Sequence, residues 1–145
     1  ELYSADYVLD PRIIAAHDNM VAINSALAVD LTGQIAAESL GSTMIGGTGG
    51  QLAFAIGASL SRGGRFTTVL PSTAQSGKVS RIVPQFETGT IVTIPRTLAD
   101  IVITEYGIAR LKGKTQRQRA QELISVAHPD FRAELKKEAQ KLFWH

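Results

Sequence analysis

Residues 41–60 have the sequence GSTMIGGTGGQLAFAIGASL, in which a glycine-rich loop runs directly into a stretch of small and apolar residues. Residues 51–60 predict a helix, and its apolar side chains cover so much of the circumference that we expect burial on more than one side. Gly63 and Gly64 end this helix, and the apolar run 66–70 predicts a strand after it. A loop, helix and strand in this order indicate an α/β fold.

The segments on either side continue the alternation of strands and helices. Asp10 followed by Pro11 predicts the start of a short N-terminal helix. Period-two patterns and β-branched runs predict strands at residues 20–30, 34–39, 79–83, 90–94 and 101–104, and helices are predicted at 115–126 and 130–142. We therefore expect a single open α/β domain over residues 1–145, with a helical C-terminal segment.

The composition is that of one globular domain and excludes several classes of function. The chain has 145 residues, of which 44% are hydrophobic and 19% charged, and its formal net charge of +2 supplies no strong field for nucleic acid. There is no cysteine, which excludes disulfides, thiolate metal sites and cysteine nucleophiles. No apolar run approaches the ~20 residues of a membrane span and no signal peptide opens the chain, so we expect a cytoplasmic protein.

The glycine-rich loop is the sharpest local feature. Its candidate binding residues are Gly46, Gly47, Gly49, Gly50 and Gln51. Glycines allow positive φ and close approach to a ligand, and the N–H groups at the start of a following helix suit a phosphate, a carboxylate or an oxyanion. The alternative is a tight turn whose glycines serve only close packing. The segment fails the dinucleotide-binding pattern at Leu52, and the end of a nucleotide-binding P-loop at 113–115 lacks its earlier glycine at Ile108.

Glu105 is the second candidate, because it follows the apolar run 101–104 and the carboxyl end of a strand is where α/β proteins bind ligands. A carboxylate there could serve acid–base chemistry or orient another group, or it could cap a helix beginning nearby. We predict that His17, His128 and His145 are structural or exposed, since their spacing suits no metal. Five basic residues near the middle strands could bind a polyanionic cofactor, although ordinary surface roles are favoured for each. They are Arg62, Arg65, Lys78, Arg81 and Arg96.

Seven ordered motifs carry a resemblance that covers nearly the whole chain. They are INSA (23–26), VDLTGQ (29–34), GGTGGQ (46–51), LPST (70–73), SRIVP (80–84), VITEYG (102–107) and AHPDFR (127–132). Together they resemble the C-terminal domain of the acetyl-CoA hydrolase/transferase family, which includes 4-hydroxybutyrate CoA-transferases. The resemblance implies the second of two related α/β domains in a subunit that moves CoA between an acyl-CoA and a carboxylic acid.

The resemblance also implies roles for individual residues. The loop from Gly47 to Gly50 matches the family's active-site loop, with Gly49 beside the thioester, and Glu105 matches an active-site carboxylate. CoA and acyl-CoA enter as substrates, with no permanently bound cofactor or metal expected. The family's nucleophilic glutamate, which forms a glutamyl anhydride and then a glutamyl-CoA thioester, lies upstream, and neither Glu38 nor Glu87 occupies a matching motif.

Because the sequence begins at Glu1 without Met, we expect a fragment of a longer subunit. The isolated fragment is expected to be inactive, and its partners would be the upstream domain and further copies in a homo-oligomer. Two alternatives stay open, an acyl-CoA hydrolase and a noncatalytic CoA- or nucleotide-binding module. The sequence departs from the family pattern at Leu9, Ala28 and Ala53, where Asn, Glu and Asp are common, and these changes bear on substrate choice and loop rigidity.

Overall fold

The computed structural model describes residues 1–144, so the prediction for His145 lies outside the described residues. The helices are α1 (Ala5–Val8), α2 (Pro11–Ala15), α3 (Gln51–Leu60), α4 (Gln116–Val126) and α5 (Pro129–Phe143). The strands are β1 (Val21–Ser25), β2 (Ala28–Asp30), β3 (Ile35–Ala36), β4 (Ser39–Leu40), β5 (Thr43–Met44), β6 (Arg65–Val69), β7 (Thr73–Ala74), β8 (Val79–Ser80), β9 (Ile82–Val83), β10 (Ile101–Thr104) and β11 (Gly107–Arg110). The mixture confirms the predicted α/β class.

The largest sheet has four strands in the order β1-β6-β10-β11. β1, β6 and β10 are parallel, with Asn24 opposite Thr68 and Thr68 opposite Val102, whereas β11 returns antiparallel to β10. Helix α3 lies between β1 and β6 in the chain and packs against both strands. Parallel order brings the carboxyl ends of β1, β6 and β10 to one edge of the sheet.

The two faces of this sheet differ in what covers them. Ala22, Phe66, Val102 and Ala109 project to one face and are buried in the core with residues of α3 and α4. On the other face, aliphatic side chains stay exposed, and Ile23 at 66% is the most open of them. The set is Val21, Ile23, Val69 and Ile108. Thr67 and Ile101 on this face are buried, so the face is open to solvent only in part within the described residues.

The prediction of one continuous strand over residues 20–30 is wrong. The segment forms two strands, because the chain leaves the first sheet after Ser25 and β2 joins a second sheet of order β3-β2-β9. At the break, the Leu27 N–H donates to the carbonyl oxygen of Ala36 at 2.8 Å. A period-two pattern shows that a segment is extended, but it carries no information about which sheet the segment joins.

Three further strand predictions are corrected. Residues 34–39 divide into β3 and β4, which belong to different sheets. Residues 79–83 form β8 and β9, which pair with different partners and are separated by Arg81, whose N–H donates to the Ser72 carbonyl at 2.9 Å. Residues 90–94 form no strand and contribute only an isolated bridge from Ile94 to Ile35. In this segment side chains replace ladder bonds, since the Thr93 hydroxyl accepts the Ala37 N–H at 3.0 Å.

The helix predictions are confirmed where local signals are strong. α3 has the predicted bounds, Asp10 caps α2 through the Arg12 N–H, and Thr115 caps α4 in a capping box. α5 begins at Pro129, one residue before the predicted start, with the His128 side chain as its cap. Helix α1 and strand β11 were not predicted. No helix within residues 1–144 is both long and apolar enough to cross a membrane.

Candidate active site

Glu105 begins the two-residue connection from β10 to β11, where the tertiary structure holds the backbone firmly. The buried Thr104 hydroxyl donates to the Val126 carbonyl at 2.5 Å and accepts the Tyr106 N–H at 3.1 Å. Gly107, with φ of +139°, then starts β11 in a conformation that favours glycine. Because β11 rather than a helix follows Glu105, the alternative capping role is wrong. Its position at the carboxyl end of a strand is confirmed.

Ser72 holds both oxygens of the Glu105 carboxylate. The Ser72 hydroxyl donates to Oε1 at 2.6 Å, and the Ser72 N–H donates to Oε2 at 2.8 Å. These hydrogen bonds hold the pKa of the Glu105 carboxyl below its ordinary value, partial burial opposes the shift, and the charge of His128 adds to it. Ser72 is fully buried, whereas Glu105 is exposed. The pair therefore presents a fixed, ionised carboxylate to solvent at neutral pH.

Aromatic and cationic side chains pack beside Glu105. The Tyr106 and His128 rings meet edge to face with centroids 5.3 Å apart, and the Arg132 guanidinium lies 5.5 Å from the centre of the Tyr106 ring. Arg132 also donates to the Ala127 carbonyl at 2.9 Å. The prediction that His128 is structural is confirmed, since it caps α5. The motifs 102–107 and 127–132 are thus one structural unit.

The glycine-rich loop leads from β5 into α3 at a different part of the same sheet edge. Gly50 is the N-cap of α3, and the side chain of Gln51 donates to the Ser25 carbonyl, at the end of β1, at 3.3 Å. A Cβ built on Gly46, Gly47 or Gly49 meets nothing within 4 Å, so these three positions are open.

Glycines allow positive φ, but Gly46, Gly47, Gly49 and Gly50 do not adopt it. Close packing, the alternative explanation, applies to Gly50 alone. There a Cβ would lie 2.5 Å from Leu9 Cδ2. Leu9, one of the departures from the family pattern, thus packs against the start of α3. The other glycines leave the backbone accessible to a ligand.

A cavity of about 230 Å³ lies between the loop and the carboxyl end of β1. Its wall includes Asn24, Ser25, Glu38, Gly47 and Gly49. Adjacent strands are spaced ~4.8 Å apart, so with β6 between them the carboxyl ends of β1 and β10 lie about 10 Å apart. The glycine loop and Glu105 therefore occupy one sheet edge, at a separation that an extended ligand can bridge.

Three of the basic residues of the middle segment bind groups of the protein itself. Arg62 forms an ion pair with Asp18, Arg65 donates to the carbonyls of Gly63 and Gly64, and Arg81 reaches the carbonyls of Ala26 and Leu27. Across the described residues, no cluster of three or more His, Asp or Glu side chains is arranged to hold a metal ion.

Sequence patterns predict no function for Ser72 or Glu38. Ser72 belongs to the motif LPST (70–73), and Glu38 matches no nucleophile motif of the family. A usable signal existed for Ser72, because it follows the carboxyl end of β6, the neighbour of the strand that ends at Glu105. Polar residues after adjacent parallel strands meet at one sheet edge.

A known protein family and several characterised proteins are similar to this chain. The family model described as the acetyl-CoA hydrolase/transferase C-terminal domain matches residues 1–139. The chain is 54% identical to 4-hydroxybutyrate coenzyme A transferase of Clostridium kluyveri over 143 residues, which cover 99% of this chain and 33% of that protein. An acetyl-CoA hydrolase of Schizosaccharomyces pombe is 31% identical over 140 residues, covering 91% of this chain and 26% of the hydrolase.

The structure also resembles solved ones. RipA from Yersinia pestis superposes with a TM-score of 0.87 at 46% identity, over 94% of this chain and 31% of RipA. The chain therefore spans between about a quarter and a third of the length of these relatives. On the match of the family model and the identity with its members, the chain belongs to the acetyl-CoA hydrolase/transferase family.

Proposed function

We propose that this chain is the C-terminal domain of a CoA-transferase that exchanges CoA between an acyl-CoA and a small carboxylic acid. The observation that carries the proposal is the placement of the Ser72-held Glu105 carboxylate and the open glycine loop on one sheet edge. The 54% identity with a 4-hydroxybutyrate coenzyme A transferase supports the same reaction class.

In the proposed reaction an upstream glutamate attacks the thioester carbonyl, which forms an acyl-glutamyl anhydride and releases CoA as its thiolate. The thiolate then attacks the glutamyl carbonyl, giving glutamyl-CoA and the first free acid. The acceptor carboxylate repeats the two steps in reverse. Covalent catalysis divides one difficult exchange into easier steps, and each step places negative charge on a carbonyl oxygen.

The glycine loop is proposed to stabilise that oxygen. Gly47 and Gly49 line the cavity and carry no side chain to keep a substrate away from their N–H groups. A preorganised donor of this kind contributes about 2.7–4 kcal/mol to transition-state stabilisation. The residues proposed to contact the thioester and the adjoining part of CoA are Gly46, Gly47, Gly49, Gly50 and Gln51.

Glu105 is proposed to orient substrate rather than attack it. Both of its oxygens already accept hydrogen bonds from Ser72, and those bonds stabilise the ionised form at the expense of nucleophilicity. This arrangement supports a nucleophile supplied by the upstream domain. The partly open sheet face, on which Ile23 and Ile108 are exposed, supports such a domain, because parallel strands are ordinarily covered on both faces. Further copies in a homo-oligomer are the other proposed partners.

An acyl-CoA hydrolase, in which water replaces the acceptor acid, is the second candidate, and the identity with an acetyl-CoA hydrolase favours it. The two are separated by incubating the full-length protein with acetyl-CoA, with and without an acceptor acid, and quantifying both CoA esters. A transferase forms the new ester only when acid is present, whereas a hydrolase consumes acetyl-CoA without it. CoA binding with neither reaction indicates the noncatalytic module.

Two substitutions test the site itself. Gly49→Val should leave the fold intact, since a Cβ there meets no atom within 4 Å, but should lower activity ~100-fold or more by blocking the substrate. Glu105→Gln should lower activity as well, and Glu87→Gln, at another exposed glutamate, is its matched control. Full activity of the Gly49→Val variant refutes the loop assignment, and turnover by the isolated chain that depends on Glu105 places the nucleophile within this domain.

A further inference from the structure

Glu38 lies between β3 and β4 and lines the glycine-loop cavity. Although glutamate is a polar residue, this one is only 7% exposed. Buried carboxylates are uncommon unless their oxygens are hydrogen-bonded. The role proposed for Glu105 makes no use of this second carboxylate.

Glu38 contacts the glycine loop at three points. Its carbonyl oxygen accepts the N–H groups of Ile45 at 2.8 Å and Gly46 at 3.1 Å. Its carboxylate Oε2 accepts the hydroxyl of Thr48 at 2.7 Å. A single residue therefore binds both the entry to the loop and its middle.

Of these three contacts, the hydrogen bond to Thr48 is the one for which the loop has no substitute. Thr48 is the only residue of 46–50 with a side chain, so no other position in the loop can make a side-chain tether. The next anchor is Gln51, which binds the Ser25 carbonyl at 3.3 Å. Glycine segments lose much conformational entropy when they are ordered, and the open space around Gly47 and Gly49 supplies no packing to compensate.

We propose that Glu38 is a positioning residue that fixes Gly47 and Gly49, the loop glycines on either side of Thr48, against the cavity where the acyl-CoA thioester binds. This inference rests on the proposed function and deepens it. Glu38 acts through the Thr48 hydroxyl and need not touch the substrate. Loss of the tether should raise the energy of the transition state more than that of the bound ground state, because oxyanion donors act mainly in the transition state.

The experiment compares Thr48→Val with Thr48→Ser in the full-length protein. Valine keeps the shape of threonine and removes the hydroxyl, whereas serine restores it. We expect Thr48→Val to lower kcat by about 10- to 100-fold with KM for acyl-CoA changed by less than about threefold, and Thr48→Ser to recover most of kcat. Thr43→Val, at an exposed threonine in the neighbouring β5, should match the wild type.

A second pair of variants changes Glu38, the residue that accepts the Thr48 hydroxyl. Glu38→Gln keeps an oxygen that can accept the Thr48 hydroxyl and should retain more kcat than Glu38→Ala. Amide hydrogen exchange supplies a readout independent of activity. The Gly46 N–H, which donates to Glu38, should exchange about 10-fold faster in Thr48→Val than in Thr48→Ser, with the helix amides of α3 unchanged.

The inference is overturned if Thr48→Val keeps the wild-type kcat, if serine fails to restore it, or if Gly46 exchange is the same in both variants. A wild-type protein that neither transfers nor hydrolyses CoA esters overturns the proposed function instead. In that case Gly46 exchange still decides whether Glu38 tethers the loop.

Discussion

Ser72→Ala removes one donor to the Glu105 carboxylate and leaves the other in place. The hydroxyl contact at 2.6 Å to Oε1 is lost, while the N–H contact at 2.8 Å to Oε2 comes from the backbone and remains. Alanine fits the buried site because it is smaller by a single oxygen atom and introduces no unpaired polar group. The pKa of the Glu105 carboxyl should therefore rise toward its ordinary value.

The stability effect follows from the chemistry of the lost bond. A hydrogen bond to a charged group contributes about 1.5–3 kcal/mol, but Glu105 is exposed and water can replace the donor, so we expect about 1 kcal/mol at neutral pH. For a domain of this size that free energy corresponds to a fall in Tm of about 2–4 °C.

The pH dependence has a definite sign. The folded-state pKa of Glu105 lies below its ordinary value, so its ionised form stabilises the fold above the unfolded-state pKa, and this contribution is lost as pH falls through the folded-state pKa. The Tm difference between wild type and Ser72→Ala should be largest at neutral pH and should shrink on acidification.

The assay combines thermal melts over a range of pH with an NMR titration of the Glu105 side-chain carboxyl. Ser80→Ala is the matched control, because the Ser80 hydroxyl donates to the neutral Ile82 carbonyl at 2.7 Å in the adjoining hairpin. Its effect on Tm should not vary with the ionisation of Glu105. An unchanged Glu105 pKa in Ser72→Ala, or a Tm difference that grows at low pH, would show that the Ser72 hydroxyl does not stabilise the ionised carboxylate.

Three other substitutions test the packing of the core and the capping of a helix. Gly57→Ala places a Cβ against the side chain of Ile14, 2.5 Å from its Cβ, and should cost about 1–3 kcal/mol in denaturant unfolding. Gly47→Ala, with nothing within 4 Å, should be close to neutral, and equal effects of the two substitutions contradict the predicted clash. Thr115→Ala removes the cap of α4 and should cost about 0.5–2 kcal/mol, with Thr115→Ser close to wild type in the same measurement. Leu123→Ala empties a fully buried core position and should cost about 2–5 kcal/mol, and a loss under 1 kcal/mol would contradict its place in the core.

The parts of the fold that local chemistry controls could be predicted. Helix α3 has the predicted bounds because its apolar spacing and flanking glycines act within a few residues. The caps at Asp10 and Thr115 are likewise local hydrogen bonds. Strand β11 was not predicted, since residues 107–110 form a strand by pairing with β10, and the extended conformation depends on that partner.

The candidate site likewise combines features that could be predicted from local sequence with contacts that could not. The openness of Gly47 and Gly49 agrees with the close approach to a ligand that glycines allow, and neither residue adopts positive φ. The tether from Glu38 to Thr48 spans ten residues and joins a strand end to a loop tip. Sequence spacing alone does not predict a contact of this kind.

Sequence patterns are sufficient to predict the α/β class, the helix that follows the glycine loop, and the position of Glu105 at the end of a strand. The division of residues 20–30 between two sheets depends on long-range pairing, as does the contact of Ser72 with Glu105 across 33 positions. Periodicity and capping depend on neighbours along the chain, so they can be deduced from sequence. Strand order depends on which distant segments bury apolar surface together, and it is the parallel order β1-β6-β10 that brings Glu105, Ser72 and the glycine loop to one edge.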